Sequence, residues 1–284
     1  MAAKEVFRET VVQYFLDGYA NGETPNPCLL CNRQIRWTFL LNHALALGAE
    51  FMATGHYVRI RDAENGQREL LRAVDHAKDQ SYVLHVLTQD KLKHALFPVG
   101  DYPKPEIRAI AEKFGLPTAS RKDSQDLCFL AGEDYRNFIQ RNAPDMLKPG
   151  SIARLDGQVI GEHNGLANYT IGQRKGLGVA SPVPLYVITK NGSSNTLIVG
   201  TQDELGTTEL SARDVNWVSG EMPSEPFRAD VKIRYTSREV PALVMPMDGN
   251  QVQVRFDAPV RDATKGQAAV FYQDEIMLGG GIIQ

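Results

Sequence analysis

Apolar residues recur at helical spacing through the first half of the chain. Val6, Phe7, Val11, Tyr14 and Phe15 mark an amphipathic helix from Glu5 to Tyr19 with no strand before it, and Trp37, Leu40, Leu41, Ala44 and Leu45 mark a second that Gly48 ends. Phe51-Met52-Ala53-Thr54 then reads as a short apolar strand running into Gly55-His56-Tyr57. That is the strand-end position where open α/β sheets place ligands, and a glycine there lets a nucleotide approach the backbone. A lone His56 reads first as a satisfied structural histidine. Tyr57 to Ile60 and Glu69 to Arg72 flank Asn65-Gly66, a hairpin signal. Lys78-Asp79-Gln80-Ser81-Tyr82, read alone, is a helix cap with a solvated face. Thr88 caps a short helix containing Leu92, Ala95 and Leu96, and Pro105-Glu106 opens another containing Ile107, Ile110, Ala111 and Phe114. A helical stretch with Tyr135, Phe138 and Ile139 leads to a boundary at Pro149-Gly150.

From Ser151 the pattern changes to short alternating segments separated by turns: Ile152 to Leu155, Val159-Ile160, Leu185 to Ile188, Thr196 to Val199, Asp230 to Tyr235, Gln251 to Phe256 and Ala268 to Tyr272. Such spacing predicts small β-barrels, so the fold class is α/β followed by all-β.

The 284 residues leave room for two or three domains, and 43% hydrophobic with 23% charged residues is ordinary globular composition. A formal net charge of −3 gives no overall nucleic-acid field, so any RNA contact must use local basic patches. Gly172-Gln173-Arg174-Lys175-Gly176-Leu177-Gly178 is one such patch, suited to phosphate, although a plain surface hairpin fits as well. Three cysteines do not make a secreted disulfide framework, and no signal-type or membrane-length apolar run is present, so a reducing cytoplasm is the expected setting.

The unusual chemistry sits in Thr24-Pro25-Asn26-Pro27-Cys28-Leu29-Leu30-Cys31-Asn32. Pro25 and Pro27 stiffen the segment, which reads as a loop presenting two thiols ahead of a helix that begins after Asn32. The positive end of that helix is expected to lower the pKa of a nearby thiol. Cys28-x-x-Cys31 is half a zinc site, has redox-pair spacing, or supplies one thiol to a pair with the distant Cys128. Cys128 lies near the end of the polar segment from Arg121 to Phe129, and its apolar neighbours favour a buried cysteine acting as a small hydrophobe over a presented thiol. Spacing does not choose among these readings.

The segments TPNPCLLCN (24–32), ATGHY (53–57), KDQSY (78–82), LFPVG (96–100), KDSQDLCF (122–129), GQRKGLG (172–178) and LGGGII (278–283) occur in an order that resembles the tRNA-specific 2-thiouridylases, or tRNA-uridine 2-sulfurtransferases. The resemblance implies an adenine nucleotide alpha-hydrolase-like (PP-loop ATPase) domain over residues 1–143 with a small helical insertion. A central β-rich tRNA-binding domain over 147–206 and a carboxy-terminal β-barrel over 209–284 would follow. It implies a monomeric cytoplasmic enzyme that uses ATP with Mg2+ to adenylate the C2 oxygen of a tRNA wobble uridine. Persulfide sulfur, delivered to Cys128 by an upstream donor protein, then replaces that oxygen. Cys31 resembles the nucleophile and Gly55 an ATP-contacting position. Asn26, Pro27, Cys28, His56, Lys78, Asp79, Gln80, Arg234, Tyr235 and Gln267 resemble tRNA contacts, and no metal ligand is implied. The base must leave the anticodon stack to be reached.

Three departures accompany the likeness. Cys28 stands where some members carry an Asp proposed as general acid/base, and Asp126 stands where Gly is common. The Ser-Gly-Gly-x-Asp-Ser phosphate-binding loop with which members begin is not in this sequence. A truncated α/β domain is therefore the expectation, with the amino-terminal helix lacking its strand partners and the ATP site incomplete. The alternative is a tRNA-binding fragment without chemistry.

Overall fold

The computed structural model describes residues 3–120 and 127–284; Asp126 lies outside the described residues. The thiol-bearing helix begins one turn earlier than the prolines suggest. Asn26 caps it by accepting from the Cys28 amide at 3.2 Å, and Pro27 takes the first helical position, where a missing N–H loses nothing. Pro27–Leu30, Cys31–Leu40 and Leu41–Ala46 follow without a break, the middle part wound as a π-helix. Both thiols thus sit on a helix and not on a loop ahead of one. Leu29, Trp37 and Leu41 bury the inner face, with Trp37 edge-on to Phe97 at 5.5 Å.

The amino-terminal helix (Ala3–Phe7, Arg8–Val12, Gln13–Ala20) has a packing surface within the chain. Phe15 and Tyr19 pack with Leu130, Phe138, Ile139 and Ala167, so its partner is the segment after Cys128 and not a sheet. Phe15 meets Phe129 edge-on at 5.3 Å, and Tyr19 stacks on Tyr135 at 5.4 Å.

Strand β1 (Met52–Ala53) is followed by the hairpin β2 (Val58–Asp62) and β3 (Arg68–Arg72), with Gly66 at φ 78° in its turn. The helix after Thr88 covers only Gln89–Leu92, and the Thr88 side chain makes no cap bond. Ala95 and Leu96 form β4, parallel to β1, because the apolar pair is taken up by sheet pairing once the helix stops. The 78–82 segment also differs from its solvated reading. Ser81 and Tyr82 are fully buried, and Tyr82 shares one core with Trp37, Leu84, Leu87, Val270, Tyr272 and Met277.

A four-stranded sheet follows, with β5 (Gly150–Arg154), β6 (Val159–His163), β7 (Tyr186–Asn191) and β8 (Thr196–Gly200) in the order β6-β5-β8-β7. Ile152, Val187, Leu197 and Val199 form its core. The remaining strands are β9 (Thr207–Trp217), β10 (Phe227–Lys232), β11 (Val240–Met247), β12 (Gln251–Val260), β13 (Ala268–Gln273) and β14 (Ile276–Ile283). They run β13-β10-β11-β12-β9-β14, and β13 pairing with β14 closes an antiparallel barrel that leaves no free edge within the ring. The hairpin β2–β3 joins this barrel through Leu70 and Leu71 opposite Met277 and Ile276. Asp230 to Tyr235 is a strand only as far as Lys232, leaving Arg234 and Tyr235 in the following turn. Among the described residues, no helix is long and apolar enough to cross a membrane.

Candidate thiol site

The chain leading into the thiol helix is clamped to the barrel. The Thr24 amide donates to the Lys265 carbonyl at 2.8 Å, and Gln267 Nε2 donates to the Thr24 carbonyl at 2.7 Å. Between these bonds Gly266, at φ +89°, is so close that a Cβ would meet the Thr24 carbonyl carbon at 3.1 Å. Asn26, Pro27 and Cys28 are therefore held against the loop joining β12 to β13.

All three cysteines are free thiols. Cys128 opens a single turn, Cys128–Leu130, in which Leu130 is buried while Leu127 and Phe129 pack against the amino-terminal helix. Its own side chain is exposed, which overturns the buried-hydrophobe reading: the neighbours do the packing and the sulfur faces out. A charge on Cys128 would raise the pKa of both Cys28 and Cys31, so Cys128 lies within electrostatic range of both despite its separation in sequence.

The thiols are not activated by the helix start. Cys28 is exposed as a residue, yet protein crowding its sulfur pushes the thiol up to about 11, with Cys31 and Cys128 adding repulsion and Arg36 opposing. Burial also raises Cys31, against an opposing pull from Arg36. A helix terminus contributes only about 0.3–1 kcal/mol at an exposed site, less than desolvation commonly costs a charged group.

Arg36 Nη1 lies 2.9 Å from His56 Nε2, and His56 Nδ1 lies 2.8 Å from Thr54 Oγ1. A guanidinium only donates, so Nε2 is the acceptor, and Nδ1 carries the proton and donates to Thr54. Burial and Arg36 hold His56 down at about 4, keeping it neutral at physiological pH. Its ring is buried edge-on to Phe97 at 6.1 Å.

The other predicted positions divide by exposure. Gly55 is exposed at the end of β1, and a Cβ there would meet nothing within 4 Å, which leaves room for a ligand to approach. Lys78 is half-buried in the turn His76–Lys78. Asp79 is buried, its carboxylate accepting from the Ala73 amide at 2.9 Å, the Ser81 amide at 3.3 Å and Ser81 Oγ at 2.6 Å. Gln80 Oε1 accepts from the Tyr57 amide at 3.0 Å. Arg234 donates to the Ile171 carbonyl at 3.0 Å and to Thr264 Oγ1, while Tyr235 is exposed with its ring edge-on to Tyr82 at 6.2 Å. Asn26 and Gln267 thus bond the chain at the start of the thiol helix, whereas the Asp79 and Gln80 side chains work inside the protein. Among the described residues, no group of three or more His, Cys, Asp or Glu side chains stands together for a metal ion. Arg36 was not foreseen; its signal is a basic residue five positions after Cys31 on one helix.

Comparison with known proteins follows the same three parts. The domain described as tRNA methyl transferase HUP domain matches residues 1–132, the tRNA methyl transferase PRC-barrel domain 136–201, and the aminomethyltransferase beta-barrel domain 207–283. The tRNA-specific 2-thiouridylase MnmA 1 of Caldanaerobacter subterraneus subsp. tengcongensis is 47% identical over 281 residues, covering 99% of this chain and 77% of that protein. The chain belongs to the tRNA-specific 2-thiouridylase family. The MnmA proteins of Acetivibrio thermocellus, 43% identical over 99% of this chain and 79% of that protein, and of Roseiflexus castenholzii, 47% identical over 98% and 79%, agree. The 2-thiouridylases are enzymes, tRNA-uridine 2-sulfurtransferases; the methyl-transferase wording belongs to the domain descriptions alone.

Proposed function

We propose that this 2-thiouridylase family member replaces the C2 oxygen of a tRNA wobble uridine with sulfur, using Cys128 as persulfide carrier and Cys31 as resolving nucleophile. The observation that supports this most is the gathering of Cys28, Cys31 and Cys128, from distant parts of the chain, into mutual electrostatic range. ATP supplies the chemistry of activation, turning the C2 oxygen into an adenylate that leaves as AMP, and the open approach over Gly55 fits a nucleotide there. The terminal sulfur of the Cys128 persulfide attacks C2 and AMP departs. The Cys31 thiolate then attacks the Cys128 sulfur and breaks the sulfur–sulfur bond, leaving 2-thiouridine and a Cys31–Cys128 disulfide that an external thiol reduces. The Gln267–Thr24 bond and the Asn26 cap hold the thiol helix while the flipped base contacts Asn26, Pro27 and Cys28. Lys78, Arg234 and Tyr235 supply further tRNA contacts.

The test is mass spectrometry of nucleosides from tRNA incubated with the full chain, ATP, Mg2+ and a persulfide donor protein. The proposal expects 2-thiouridine with the unaltered chain and none with Cys31→Ser or Cys128→Ser. Activity retained in either variant overturns that residue's role. Binding of tRNA without thiolation by the unaltered chain supports the binding-fragment reading instead.

A further inference from the structure

The π winding of Cys31–Leu40 lies at the thiol end of the helix. In such a winding the backbone bonds join residues five apart, and Thr38 Oγ1 donating to the Arg33 carbonyl at 2.7 Å spans the same interval. Cys31 and Arg36 are separated by the same five positions, and the guanidinium charge favours the Cys31 thiolate. An exposed arginine is ordinarily free to swing away. This one is tethered, because His56 accepts from its Nη1 and Thr54 in turn accepts from His56. The contacts therefore run from the end of β1 to the guanidinium without a gap.

We propose that Arg36 is a positioning residue that favours the Cys31 thiolate against the burial that opposes it, with Thr54 and neutral His56 fixing the guanidinium. The thiol proton passes to bulk water, and no other bond changes. The inference rests on the reading of Cys31 as the nucleophile. The charged groups acting on Cys31 are Arg36, which favours the thiolate, and Cys128, whose charge opposes it. Neutral His56 is essential to the arrangement, since an imidazolium has no lone pair to accept from Arg36. Lysine would keep the charge but not the fork of N–H groups that lets one side chain serve both His56 and the sulfur.

The experiment follows iodoacetamide alkylation of Cys31 against pH in the full chain carrying Cys28→Ser and Cys128→Ser, read by mass spectrometry. Arg36→Gln is expected to raise the midpoint by about one pH unit, slowing alkylation near neutral pH about tenfold. Arg36→Lys should shift it less, and Thr54→Val should shift it in the same direction with the charge intact. Added salt should raise the midpoint of the parent and leave that of Arg36→Gln nearly unmoved. Arg36 is exposed, so the variant folds, which circular dichroism checks. An unchanged midpoint in a folded Arg36→Gln, or an equal shift in Arg33→Gln, overturns the inference. A shifted midpoint in a chain that does not thiolate tRNA upholds the role of Arg36 and counts against the functional reading.

Discussion

Replacing Tyr82 by phenylalanine removes one oxygen from the contact between the α/β domain and the barrel. The Tyr82 hydroxyl donates to the Ala268 carbonyl at 3.0 Å and accepts from the Ala268 amide at 3.1 Å, and both residues are fully buried. The ring volume is unchanged in Tyr82→Phe, so no cavity arises. Two buried backbone groups instead lose their partner, each at about 1–3 kcal/mol. The expected loss of stability is therefore about 2–6 kcal/mol, a large part of the total for an ordinary domain. Urea unfolding measures it, with the midpoint falling and the slope unchanged, and Tyr102→Phe, at an exposed ring, serves as the control. A change below about 0.5 kcal/mol in Tyr82→Phe would refute the claim that the 78–82 segment latches the two domains together.

Gly266→Ala should disturb the thiol helix as well as stability, since the new Cβ meets Thr24 at 3.1 Å, whereas Gly22→Ala, also at positive φ but in open space, should lose only backbone energy; alkylation rates of Cys31 in the two variants check this. His56 and His85 are both held at about 4, by burial first, so the unfolded chain binds more protons than the folded one below its histidine pKa near 6.5. Stability present above that pH is then lost as pH falls from 6.5 toward 4, roughly 3 kcal/mol per histidine, and His56→Gln should remove about half of the slope in urea titrations across that range.

The elements with strong periodicity were legible from residues alone: the helix carrying Trp37 and Leu41, the Asn65-Gly66 hairpin, and the alternating strands of 251–256 and 268–272. What was not legible depended on contacts distant in sequence. Strand β14 contains Gly279, Gly280 and Gly281, whose low strand propensity hides it, yet the barrel needs them small: a Cβ on Gly279 would fall 2.3 Å from the Asn216 carbonyl oxygen. The charged look of 78–82 concealed a buried turn, because Asp79 is satisfied by local amides and Ser81, and Tyr82 by β13. At the site, Cys28 and Cys31 were visible as a pair, but their helical start, their desolvation and Arg36 were not. Asn26 and Pro27 carried the first of these signals, as a cap followed by proline at the first helical position.

The cycle proposed for the thiols makes one species that no rival produces. The full chain, loaded with persulfide and given tRNA and ATP without external reductant, is quenched after one turnover, its free thiols are alkylated, and its disulfides are mapped by mass spectrometry. The account predicts a Cys31–Cys128 disulfide in amounts equal to the 2-thiouridine formed, with Cys28 recovered as the alkylated thiol. Thiolated tRNA with Cys31 and Cys128 both still free, or with a Cys28–Cys31 disulfide in their place, would contradict it.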